Sequence, residues 1–127
     1  MDEPRQYFTI EQANAMLEII RPMMAEILEI RQRLLTLQPE VWPVVEKALG
    51  NGGNRAASQA AREFDRLNRL VLEIQATGAL IKDVNTGLVD FYAMRDGREV
   101  FLCWQYGEDR IEFWHDLESG YAGRERW

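Results

Sequence analysis

From Ala13 onward, apolar residues return at steps of three and four: Ala13, Met16, Ile20, Met23, Ile27, Ile30, Leu34 and Leu37. Leu17, Met24, Leu28 and Leu35 widen the stripe. This period predicts an amphipathic helix with an apolar face broader than a bare coiled-coil seam. Thr9 is placed to cap it, with Gln12 three residues on to complete a capping box. Pro22 interrupts the run and predicts a kink or break near Glu18–Pro22, because proline removes one backbone bond and crowds the preceding turn. Gln38-Pro39 ends the helix. A short helix is expected from Pro43 to Leu49, then a glycine- and asparagine-rich loop over residues 50–54. That loop lacks the Gly-Lys-Ser/Thr ending of a phosphate-binding loop. A second stripe, Ala57, Ala60, Phe64, Leu67, Val71, Ile74, Gly78 and Ile81, predicts a helix from about Arg55 to Ile81.

After Gly87 the pattern changes. Three runs rich in aromatic and β-branched residues follow, joined by Asp96-Gly97 and by Gly107-Glu108-Asp109-Arg110. Asp-Gly suits a two-residue type I′ hairpin, which needs positive φ at both positions. It sets Val89 opposite Trp104, Phe91 opposite Leu102, and Ala93 opposite Val100. A two- or four-residue second loop would set Trp104 opposite Phe113 and Leu102 opposite His115. A three-residue loop would instead put Trp104 opposite Glu112 or Trp114 and reverse the faces of the last strand. The first frame is the expected one, since it gathers Val89, Phe91, Ala93, Val100, Leu102, Trp104, Tyr106, Ile111, Phe113 and His115 on one core face. The other face then carries Asp90, Tyr92, Phe101, Cys103, Glu112, Trp114 and Asp116. The fold expected is α+β, a long antiparallel helical hairpin packed on a three-stranded antiparallel β-meander. It forms a single domain over 1–127, with the hairpin at 9–82, the meander at 87–116 and an irregular tail at 117–127.

Composition narrows the functional classes. With 46% hydrophobic residues and four tryptophans, 127 residues support a core of their own. A formal charge of −6 argues against gripping nucleic-acid phosphates. One cysteine excludes an internal disulfide and suits a reducing compartment. No apolar run reaches membrane-span length, and the acidic start Met1-Asp2-Glu3-Pro4 has no signal-peptide character. A cytoplasmic protein is expected.

The candidate chemistry is sparse. His115 is the single histidine and falls on the expected core face. Cys103 falls on the other, beside Asp90, so a Cys–His nucleophile pair is not expected. One histidine falls short of the three or four converging ligands of a metal site, and no metal or cofactor is expected. Asp90 and Asp116 sit on the order of 12 Å apart in this frame, long for one site. His115, Asp116 and Asp90 remain the candidate catalytic residues. Tyr92, Phe101 and Trp114 form a candidate interaction patch. Strands of about 20–25 Å cannot cover helices of about 40 Å, which predicts a homodimer through the long helices.

The segments Gly-Leu-Val-Asp-Phe at 87–91, Asp-Gly-Arg-Glu-Val at 96–100, Leu-Cys-Trp at 102–104, Gly-Glu-Asp at 107–109, and Phe-Trp-His-Asp with Gly-Tyr-Ala-Gly-Arg at 113–124 carry a resemblance. Together they are similar to the domain of unknown function 2203 family of short bacterial proteins. The resemblance implies a bacterial or archaeal cytoplasmic protein and transfers no catalytic residue. The function expected is a non-enzymatic self-associating or partner-binding module. The alternative is a small enzyme or a ligand- or metal-binding protein with a site near Asp90, His115 and Asp116.

Overall fold

Thr9 and Gln12 cap the first helix reciprocally. The Gln12 N–H donates to the Thr9 hydroxyl at 3.0 Å, and the Thr9 N–H donates to the Gln12 side-chain oxygen at 2.9 Å. The computed structural model describes residues 5–37, 42–50 and 59–127. The Gln38-Pro39 stop, the loop beyond Gly50 and the expected helix start at Arg55 lie outside the described residues. Helix α1, Ile10–Leu37, passes through Pro22 without a break. Pro22 and Glu18 are both exposed, so the missing backbone bond lies on the solvent side, where water can replace it.

The α1 stripe is buried along its length at Ala13, Leu17, Ile20, Met24, Ile27, Ile30 and Leu34. Helix α2, Trp42–Ala48, sends Trp42 into the same core and donates its indole N–H to Asn85 at 3.0 Å. Helix α3, Gln59–Ala76, contributes Leu67, Leu70, Val71 and Ile74. Two bidentate pairs, Arg33 with Glu63 and Arg66 with Glu26, connect α1 and α3 in antiparallel sense. Arg33, Arg66 and Glu26 are well exposed and Glu63 is half-buried, so each pair contributes at most about 1 kcal/mol.

The second helix is shorter than its stripe suggests. It stops at Ala76, and the Thr77 hydroxyl and the Gly78 N–H take up the last-turn carbonyls of Ile74 and Gln75. Gly78, at φ +99°, supplies the left-handed residue that ends such a helix. Leu80–Asp83 is therefore strand β1, whose first two residues the sequence pattern places in the helix. The remaining strands are β2 Leu88–Arg95, β3 Arg98–Gln105, β4 Phe113–Asp116 and β5 Glu125–Arg126. The expected three-stranded meander is thus the middle of a five-stranded antiparallel sheet in the order β1-β2-β3-β4-β5. The tail expected to be irregular holds a 3-10 turn, Tyr121–Gly123, and then β5 along the edge of β4.

The first hairpin forms as its turn dictates. Asp96 and Gly97 take φ +52° and +77°, and Val89, Phe91 and Ala93 pair with Trp104, Leu102 and Val100. These six side chains are fully buried, in one cluster with the helices. The second hairpin adopts the other frame. Leu102 pairs with Trp114, Phe101 with His115 and Cys103 with Phe113. Trp114 therefore joins the helix face, while Phe113 and His115 turn to the outer face, a correction to the expected sorting. Tyr106, expected in the core, is 37% exposed.

The cause lies in residues 106–112, which form an anchored loop instead of a tight turn. The Trp104 indole N–H donates to the Glu108 carbonyl, and the Glu108 carboxylate accepts from the Gln105 N–H. Ile111 is fully buried, held by helix α1: its N–H donates to Asn14 Oδ1 at 2.7 Å, and its carbonyl accepts from Asn14 Nδ2 at 3.2 Å. Asn14→Ala is expected to destabilise by about 1–3 kcal/mol, since it leaves both Ile111 groups unpaired inside the protein. A urea melt checks this.

The length argument for a dimer also changes. Among the described residues, most of the helix stripe is buried within one chain by the wider sheet, α2 and Phe8, and Ile19 and Leu72 are the exposed large apolar residues of the two long helices. Among the described residues no helix is long and apolar enough to cross a membrane.

Candidate functional site

The reversed frame brings together what the sequence pattern separates. Asp90 on β2 pairs with Cys103 on β3, as expected, and both lie on the outer face. His115, opposite Phe101, points to that same face and reaches diagonally across β3. Asp90, Cys103 and His115 are 2%, 0% and 2% exposed. Their ligand atoms all lie within 4.8 Å of one another. The expectation that the thiol and the imidazole occupy opposite faces is overturned by the register of β4.

The histidine is oriented by its backbone. Nδ1 sits 2.7 Å from the Asp116 carbonyl, which can only accept, so Nδ1 carries a proton. Nε2 therefore faces Asp90, 3.2 Å from each carboxylate oxygen. A bare Nε2 lone pair would repel a carboxylate, so a proton or another cation belongs between them. Asp116 thus contributes its main chain. Its side chain is exposed on the other side of the strand, 3.3 Å from Arg98. Of the three candidate catalytic residues, only Asp90 and His115 meet through their side chains.

The aromatic patch is divided in the same way. Tyr92 and Phe101 stack at 4.7 Å, and Phe101 lies 5.5 Å from the His115 ring. Phe101 is only 4% exposed, and Trp114 is across the sheet beside Arg95. The three do not form one surface, because the frame of β4 turns Trp114 away from the other two.

Two cations flank the cluster, neither signalled by the sequence pattern. Lys82 stands at the bulge between Ile81 and Asp83. Its ammonium lies 3.5 Å from Asp90 Oδ2 and 4.1 Å from the Phe101 ring centre. Arg124, returned by the tail, stacks on Phe113 and Tyr121 at 4.2 Å each and grips the Glu108 carboxylate at 3.0 and 2.8 Å. Burial raises Glu108, but the bonds from Arg124 and the Gln105 N–H outweigh it and hold the carboxyl below its usual range. Burial pushes the Cys103 thiol up to about 12; Asp90 adds to the rise and Arg124 opposes it.

This arrangement is not a nucleophile–base pair. Both His115 nitrogens are engaged without the thiol, and a thiol so raised is no thiolate at neutral pH. Nor do these three residues line any of four surface clefts formed by described residues. The donor set instead suits a metal ion. Bond lengths of about 2.0–2.3 Å to zinc place tetrahedral ligand atoms roughly 3.3–3.6 Å apart, close to the Nε2–carboxylate separation. The bond from Nδ1–H to a backbone carbonyl is the support that metal-ligating histidines ordinarily have.

The family model described as uncharacterized conserved protein, DUF2203, matches residues 6–127. The chain belongs to this family. No curated protein and no solved structure matches the chain. The match spans the three helices as well as the sheet, so the family covers the elements that position the cluster and not only the C-terminal segments that carry the resemblance.

Proposed function

We propose that this chain is a non-enzymatic binding protein that holds a divalent transition-metal ion on the outer face of its sheet. One observation carries the reading: a buried carboxylate, thiol and imidazole converge from three adjacent strands to within 4.8 Å. Asp90, Cys103 and His115 would supply oxygen, sulfur and nitrogen, leaving a fourth position for water or a small ligand. The reading departs from the expectation of no metal, which rests on one histidine falling short of the three or four converging ligands of a metal site. Burial of all three donors speaks for holding an ion over turning over a substrate. Self-association through the long helices draws no support from the described part of their stripe, most of which the chain buries itself.

The test is a Co²⁺ titration of the full chain, followed by absorption and calorimetry. One equivalent should bind with a thiolate-to-cobalt band, and Zn²⁺ should displace it. Cys103→Ser and His115→Ala should each weaken binding on the order of 100-fold or more, as expected for losing one ligand of a site worth 10–16 kcal/mol. No heat and no band at millimolar metal would overturn the reading.

A further inference from the structure

The two cations beside the cluster differ in what holds them. Arg124 is engaged by Glu108 through two bonds, and its side chain is 12% exposed. Lys82 faces Asp90 alone among the described carboxylates within ion-pair distance, at 3.5 Å, and its side chain is 38% exposed against 2% for Asp90. Asp90 cannot leave the interior, but Lys82 can swing into water at little desolvation cost. A divalent ion bound to Asp90 would stand within a few ångströms of the ammonium, and like charges at that separation repel strongly away from bulk water.

Resting on the metal-binding reading above, we infer that Lys82 is a tethered competitor for Asp90, and that the site fills by exchange of this ammonium for a thiophilic divalent ion of the zinc class. The ammonium neutralises Asp90 while the site is unloaded and swings into water when the metal arrives. The Cys103 thiol proton and the proton between His115 Nε2 and Asp90 are released to solvent in the same exchange. The exchange filters ions. Mg²⁺ and Ca²⁺ prefer oxygen donors in larger number and gain nothing from Cys103 or His115, so they cannot offset the loss of Lys82 from Asp90. A Zn²⁺-class ion gains the sulfur and nitrogen ligands in return. Strand alternation is the structural device: Leu80 pairs with Asp90, so Lys82, two residues on, is placed on the face that carries Asp90, beside the bulge.

The experiment compares Co²⁺ affinity of the full-length wild type, Lys82→Gln and Lys82→Arg, with Mg²⁺ as the hard-ion control. Lys82→Gln should bind Co²⁺ about 2–5-fold more tightly, the size of a partly exposed ion pair. Lys82→Arg, which keeps the cation, should match the wild type. Mg²⁺ should fail to displace Co²⁺ from the wild type. Lys82→Met, which keeps the apolar stem over Phe101, replaces Lys82→Gln if circular dichroism shows that variant unfolded. A cobalt–thiolate band with unchanged or weaker affinity in the neutral variant overturns the exchange and leaves the metal site standing. No band in either the wild type or the neutral variant overturns both.

Discussion

Trp104→Ala is expected to lower stability by about 3–5 kcal/mol, the range for truncating a buried aromatic to alanine. Trp104 is fully buried on β3, at the centre of the face that receives both helices. Its ring meets Tyr106 edge-on at 6.0 Å and lies under the Arg21 guanidinium at 5.9 Å. Its indole N–H donates to the Glu108 carbonyl at 2.9 Å, so the side chain also fixes the loop that sets the frame of β4. In a domain whose whole stability is about 5–15 kcal/mol, this loss should lower the melting temperature by roughly 10–20 °C. Trp104→Phe keeps most of the volume and should lose only about 1–2 kcal/mol, chiefly the hydrogen bond. Calorimetric melts of the two variants measure the difference. Equal losses would mean the loop bond outweighs the packing.

Asp90→Ala should be nearly as damaging and should also abolish divalent binding. The carboxylate is 2% exposed and faces His115 at 3.2 Å and Lys82 at 3.5 Å. Removing one partner of a buried charged pair costs about 3–5 kcal/mol, because the other is left desolvated and alone. Lys82 can turn to water, so His115 bears most of this. Its Nδ1 stays tied to the Asp116 carbonyl, leaving Nε2 with nothing to meet. Asp90→Asn preserves shape and hydrogen bonding and should lose less, about 1–3 kcal/mol, yet bind metal no better, since a neutral amide cannot offset a divalent charge. Urea melts separate the stabilities, and a Co²⁺ titration of Asp90→Asn tests the site without a large loss of fold. Retained cobalt binding in Asp90→Asn would remove Asp90 from the ligand set.

How legible the site was in the sequence turns on four residues. Phe-Trp-His-Asp at 113–116 has a bulky side chain at each of its first three positions. Alternation of apolar and polar residues cannot choose a face for such a strand, because either frame buries an aromatic. In the first hairpin Asp96-Gly97 leaves no such freedom, and the pairing of Asp90 with Cys103 follows directly. The second frame is chosen by Asn14, 97 positions from Ile111, through hydrogen bonds that no local pattern announces. Asp90, Phe101 and Cys103 on the outer face are buried as well, so turning His115 onto it does not expose the residue.

Local chemistry alone determined the capped first helix, the turn at Asp96-Gly97, the register of β2 with β3, and the buried stripe of the first helix. Each depends on neighbours a few residues apart or on a strict period. Tertiary structure alone decided that Gly78 ends the second helix and frees β1, that the tail returns as β5, and that His115 shares a face with Cys103. Those outcomes depend on long-range partners, and the free energies separating the alternatives are a few hydrogen bonds, too small to leave a periodic trace along the chain.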